Sequence, residues 1–212
     1  MRIQAAATLL PAEYQREISS EKLAELPIRR YEGEVCLVSS LDDLERALNA
    51  IRQESGVGFD TETRPSCRTG ESHLPCLAQV ATARAVYLFR LQRQDFSCAI
   101  AELLGAPKIT KVGVSVAEDL RQLRQLFPSQ AASVLDAGAV ARRHGLRQTG
   151  LRNLAAIFLG IRIPKGKRTS NWAAPRLSPA QITYAATDAW ACRELFLCYE
   201  RLGMVGAQPV LR

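Results

Sequence analysis

Residues Val57-Gly58-Phe59-Asp60-Thr61-Glu62 alternate as a strand does, so the side chains of Asp60 and Glu62 leave the same face of a sheet. Two carboxylates this close repel each other unless a positive charge stands between them. A divalent cation resolves the repulsion, and oxygen-only ligands suit Mg²⁺ or Mn²⁺. A solvated strand end fits the same pattern, so this segment constrains the fold more firmly than the chemistry. The strand is expected to end in a turn at Arg64-Pro65.

The remaining pattern places that strand in a mixed sheet. Further strands are predicted over 77–82, 85–89 and 109–114, with 133–135 as a fifth strand of the main sheet and a first strand over 35–38 preceding them, and helices over 41–52, 95–104 and 115–127. Ser40 with Asp43, and Ser115 with Glu118, read as capping boxes opening two of these helices. From Asp136 onward the periodicity is helical: Leu151, Leu154, Ala155 and Phe158 share one face. The last helix opens at Ser178-Pro179-Ala180-Gln181, which combines an N-cap, a first-turn proline and a Gln partner, and runs to about Leu202. Successive strands followed by strands alternating with helices imply an α/β fold, a mixed sheet flanked by helices. The 212 residues suffice for one sizeable core. Residues 1–34 are weakly patterned and read as an N-terminal extension, with the main domain over 35–212.

Two more carboxylates draw attention. Asp119 lies in the first turns of the helix after the 109–114 strand, where the helix dipole favours a negative charge whatever its role. Tyr184 and Asp188 are four residues apart on the last helix and share a face, amid Ala185, Ala186 and Ala189, which allow close approach to a sheet. An amphipathic helix with a packed tyrosine and a solvated aspartate would look the same.

Taken together, these residues resemble a known family. Gly58-Phe59-Asp60-Thr61-Glu62-Thr63, Lys111-Val112-Gly113-Val114-Ser115 leading to Asp119, and Tyr184-Ala185-Ala186-Thr187-Asp188-Ala189 match, in order and interval, the motifs of the DEDD superfamily of 3′→5′ exonucleases in its tyrosine-bearing (DEDDy) branch. The match extends to Gln79-Val80-Ala81-Thr82, Tyr87-Leu88-Phe89 and Ser170-Asn171-Trp172, and covers roughly residues 35–203. The chain is similar to ribonuclease D and to the exonuclease domain of the Werner syndrome protein. The resemblance implies an RNase H-like fold with a five-stranded sheet. It also implies two divalent metal ions, Mg²⁺ or Mn²⁺, with Asp60, Glu62 and Asp188 holding one and Asp60 with Asp119 holding the second. Tyr184 would orient the attacking water, and the product would be a 5′-mononucleotide.

The charge distribution fits such a partner. Twenty-eight Lys and Arg against 21 Asp and Glu leave a formal charge of +7, which favours a polyanion. No acidic residue occurs from Ala137 to Thr187, a span that contains Arg142, Arg143, Arg147, Arg152, Arg162, Lys165, Lys167, Arg168 and Arg176. Within a loop over 164–172, Lys165, Lys167 and Arg168 are expected phosphate contacts. Thr61 is expected to touch the strand, and Trp172 either stacks on a base or anchors the core. Single-stranded or 3′-recessed nucleic acid is the expected substrate, with RNA slightly favoured over DNA.

Other chemistries are excluded or set aside. Gly160 to Lys167 lacks phosphate-loop glycine spacing, and Arg168 stands where Ser or Thr must bind Mg²⁺. His73 and His144 have no ligand or triad spacing, and none of the six cysteines forms a CxxC pair, so a zinc site is not expected. The cysteines read as small core residues in a reducing compartment, and the chain as cytoplasmic, without a signal peptide or spanning segment. Trp190 and Phe196 read as core. A catalytically silent nucleic-acid-binding module and a protein scaffold with the same fold are the alternatives.

Overall fold

The structure, a computed structural model, describes residue 14 and residues 17–65, 73–166 and 170–205. Among them, β1 (Glu34–Val38), β2 (Gly56–Thr63), β3 (Pro75–Ala81), β4 (Ala85–Arg90), β5 (Thr110–Gly113) and β6 (Val134–Asp136) form one sheet in the order β1-β4-β3-β2-β5-β6. β2, β3 and β4 run antiparallel in sequence, whereas β1 lies parallel to β4, and β5 and β6 continue in parallel beyond β2. This is the expected α/β mixed sheet flanked by helices. It holds six strands and not five, because Glu34 to Val38 register with Ala85 to Phe89 and extend the edge.

Helix termini follow local chemistry. Ser40 caps α2 (Leu41–Ile51) with a reciprocal bond to Asp43, and Ser178 caps α7 (Pro179–Arg201) with Gln181, as the sequence predicts. The capping box expected at Ser115 does not form. Ser115 is left-handed, at φ 61° and ψ 29°, and makes no side-chain cap to α4 (Val116–Leu126), while Glu118 turns outward to Arg121 and Gln122. A short helix absent from the sequence reading, α1 (Ser20–Glu25), is capped by Ser19.

Two apolar layers enclose the sheet. On one face Val57 and Phe59 of β2 pack with Phe96 and Ile100 of α3 (Gln94–Gly105) and with Leu123 of α4. On the other face lie α5 (Ala137–Arg143), α6 (Leu151–Leu159) and α7. There Leu77, Ala81 and Leu88 meet Ala185, Ala186 and Ala189. Burying a Phe or Leu side chain contributes about 1.5–3 kcal/mol, so these layers supply the main favourable term. Lys111 on β5 is fully buried. Its ammonium donates to the carbonyls of Ala106 at 2.7 Å and Ile109 at 2.8 Å, and burial pushes its pKa down to about 8.

The described part of the N-terminal segment packs on this body. Tyr31 N donates to Thr187 Oγ1 at 3.0 Å, Arg162 N donates to the Pro27 carbonyl at 2.9 Å, and Ile18 N donates to Gln148 Oε1 at 2.9 Å. Cys76, Cys192 and Cys198 are buried as expected, but Cys36 is half-buried and Cys98 exposed; Cys67 lies outside the described residues. Phe196 is core, whereas Trp190 is only half-buried. No helix among the described residues is long and apolar enough to cross a membrane.

Candidate active site

The site is built on β2 and α7. Gly56, Gly58, Asp60 and Glu62 alternate onto the face that α7 covers. A Cβ at Gly58 would stand 1.9 Å from the Ala189 carbonyl oxygen, and one at Gly56 would stand 2.3 Å from the Phe196 ring. Only glycines let the helix lie this close. The same contact carries Asp188, one residue before Ala189, onto the strand's carboxylates. Ligand oxygens of Asp60, Glu62 and Asp188 all lie within 4.8 Å of one another.

Electrostatics reflect the crowding. Asp60 is raised well above its ordinary 3.8 by burial first, then by repulsion from Asp188, Asp119 and Glu62. Burial raises Asp188 to about 6, opposed by the Tyr184 hydroxyl that donates to it and by the charge of Arg152. Tyr184 itself is pushed up by burial and then by Asp188 and Glu62, so its phenol stays protonated. Asp119 rises to about 6, chiefly through burial, although the Thr61 hydroxyl donates to it in a short hydrogen bond. Asp119 thus stands within electrostatic reach of Asp60 but outside the tight trio.

A cleft of about 660 Å³ opens over these groups. Asp60, Tyr184, Asp188 and Cys192 line it on one side, and Gly150, Arg152 and Asn153 at the start of α6 line it on another. Lys165 and Gly166 form a strap between this cleft and a second one of about 280 Å³, which Tyr184 also borders. A Cβ at Gly166 would stand 1.7 Å from the Tyr184 ring, so the strap rests directly on that ring. Arg152 donates through Nε to the Ile163 carbonyl at 3.0 Å, which fixes its side chain in the cleft wall.

The expected site residues therefore separate into groups. Asp60, Glu62, Asp188 and Tyr184 come together, and Asp119 stands beside them held by Thr61. Lys165 lines the cleft, while Lys167 and Arg168 lie outside the described residues. Of the two readings left open for Trp172, the structure favours the core anchor over the base contact: at 1% exposure it packs among Leu77, Leu88 and Ala186, so its ring face is not open to a base. The structure adds Ser115, Arg152 and Cys192 to the cleft. Cys192 was reachable from spacing, since it follows Asp188 by four residues on one helix. Arg152 stood out only as one of several basic residues.

Comparison with known proteins agrees with this geometry. A family model described as 3′-5′ exonuclease matches residues 35–200. The chain is 31% identical to the exonuclease mut-7 homolog of Homo sapiens, over 94% of this chain and 26% of that protein. It is 34% identical to ribonuclease D of Gluconacetobacter diazotrophicus, over 80% of this chain and 44% of that protein. It thus spans less than half the length of either relative. The crystal structure of the Aedes aegypti Nibbler EXO domain shares the fold, with a TM-score of 0.71 at 24% identity, covering 83% of this chain and 91% of that one. The family model over most of the length, and relatives above 30% identity, establish that this chain belongs to the 3′–5′ exonuclease family.

Proposed function

We propose that residues 35–212 form a metal-dependent nuclease unit that hydrolyses the last phosphodiester at the 3′ end of a nucleic-acid strand and releases 5′-mononucleotides. The convergence of Asp60, Glu62 and Asp188 at a cleft that Arg152 and Lys165 also line carries this reading. Three mutually repelling carboxylates, held together by a glycine contact, fit a hard divalent cation, Mg²⁺ or Mn²⁺. Asp60, Glu62 and Asp188 would hold one ion, and Asp60 with Asp119 a second. Two such ions would lower the pKa of the attacking water and neutralise charge on the leaving oxygen.

The chain's own groups supply binding and orientation. Arg152 and Lys165 face the cleft and would hold phosphate oxygens, aided by the amino terminus of α6 at Gly150. Tyr184 stays protonated, so it acts as a hydrogen-bond donor that keeps Asp188 in place and orients the water for in-line attack. Thr61 holds Asp119 at the end of the strand that carries Asp60. The resemblance to ribonuclease D favours RNA over DNA. The described part of residues 1–34 braces α7 through the Tyr31–Thr187 bond.

The test uses 5′-labelled single-stranded RNA and DNA of one sequence, with Mg²⁺, Mn²⁺ or EDTA. Metal-dependent ladders that shorten from the 3′ end are expected, faster on RNA. Binding without shortening under every metal would replace the reading with a silent binding module.

A further inference from the structure

Gln79, in the middle of β3, has no exposed surface, and neither its Oε1 nor its Nε2 has a hydrogen-bond partner. Unpaired buried amides are uncommon and call for an explanation. Its place in the sheet gives one. Gln79 registers directly opposite Asp60 on β2 and Leu88 on β4. Directly opposed residues leave a sheet on the same face, with Cβ atoms about 5 Å apart. The amide therefore lies under α7 beside the most crowded carboxylate of the trio.

A second orphan lies in the same layer. Trp172 Nε1 is buried without a partner, and the indole packs in the cluster that contains Leu77, Ala81 and Leu88. Leu77 and Ala81 flank Gln79 on its own face of β3, and Leu88 is its cross-strand neighbour. Their chemistry is complementary. The indole N–H can only donate, the ionised Asp60 can only accept, and the glutamine amide does one of each. A water-relayed chain from Trp172 Nε1–H to Gln79 Oε1, and from Gln79 Nε2–H to Asp60, uses all three orphaned atoms once.

We propose that Gln79 is a positioning residue for the metal site, linking Trp172 to the Asp60 carboxylate through internal water. The proposal rests on the exonuclease reading for its catalytic consequence. Asp60 is repelled by Asp188, Asp119 and Glu62, and no cation is needed for an amide donor to hold its orientation against them. The bridge also assigns a purpose to burying the loop tryptophan: it ties the segment after the strap to the floor of the cleft.

The experiment measures Mn²⁺ affinity of the nucleic-acid-free protein by calorimetry, its melting midpoint without metal, and kcat and KM on a 5′-labelled strand, in Gln79→Met, Trp172→Phe and the double variant. Gln79→Met is expected to lose about tenfold or more in Mn²⁺ affinity, as carboxylate-supporting partners do elsewhere. Its kcat should fall at nearly constant KM, and its metal-free midpoint should fall as well, because the buried indole N–H loses its acceptor. Trp172→Phe, which keeps an aromatic ring, should shift Mn²⁺ affinity the same way, and the double variant should be no worse than Gln79→Met alone. Unchanged Mn²⁺ affinity in Gln79→Met overturns the proposal, and an effect confined to that variant overturns the indole link. Should Gln79→Met fail to fold, Trp172→Phe decides by the same affinity measurement. If the parent binds Mn²⁺ but shortens no strand, the exonuclease reading fails while the affinities still judge Gln79.

Discussion

Gly58 lies directly beneath Ala189: a Cβ on the strand residue would stand 1.9 Å from the helix carbonyl oxygen and 2.8 Å from Arg193 N. The obstacle is backbone on both counts, so no side-chain rotation relieves it. Gly58→Ala should therefore push α7 off β2, at a cost of about 1–3 kcal/mol or more for overpacking. Because Asp188 rides on that helix, turnover should fall by a larger factor than the loss of stability accounts for. Denaturant midpoints and kcat, measured side by side, check this. A variant with normal midpoint and normal kcat would mean that the close contact does not set the site.

Asp60 sits where burial and three other carboxylates all oppose its ionisation. Asp60→Asn removes that repulsion and removes a ligand at the same time. The metal-free variant should melt at a higher temperature than the parent at pH 7, its midpoint should cease to rise with Mn²⁺, and turnover should drop by at least about 100-fold, equivalent to about 2.7 kcal/mol of barrier. A lower midpoint combined with retained turnover would remove Asp60 from the site.

The raised carboxylates also fix a pH dependence. Asp119 and Asp188 move from an ordinary 3.8 to about 6 on folding, and Asp60 is raised as well. The metal-free folded state then binds more protons than the unfolded chain between about 4 and 6, so these groups weaken the fold as pH rises through that window. A cation needs the carboxylates ionised, and its binding expels the protons. Mn²⁺ affinity should fall about tenfold between pH 7 and pH 5 for each proton released, with proton release visible by calorimetry in buffers of different ionisation heat. A flat affinity from pH 5 to pH 8 would contradict the assignment of these carboxylates as ligands.

The sequence made the site's framework legible because its pieces are local. A strand's period of two put Asp60 and Glu62 on one face, and a helix's spacing of four put Tyr184 with Asp188. The Ser40 and Ser178 caps were readable for the same reason. What could not be read depended on contacts between distant segments. β1 joins the sheet only through its pairing with β4, and Ser115 adopts a left-handed turn that its capping pattern does not reveal. Trp172 is a residue type that stacks on bases, but its burial is decided in large part by Leu77 and Leu88, which lie far away in sequence. The orphaned amide of Gln79 could not be inferred at all before the register of β2 and β3 was known.

Tyr184 supplies the sharpest division between donor and base. Burial and the neighbouring Asp188 and Glu62 hold its phenol protonated, and that phenol donates to Asp188 and lowers the latter's pKa. Tyr184→Phe removes the donor and leaves the ring that supports Gly166. Turnover should fall by about 10- to 100-fold, or 1.4–2.7 kcal/mol of barrier, while Mn²⁺ affinity at pH 8 stays within a few-fold of the parent. The Asp188 carboxyl, deprived of its donor, should titrate higher, so the acidic limb of Mn²⁺ binding should move toward higher pH. The alkaline side of the pH–rate profile should keep its shape, because the phenol was never ionised there. Loss of an alkaline limb in the variant would instead show that Tyr184 acts as a titrating base, and an unmoved acidic limb would break its link to Asp188.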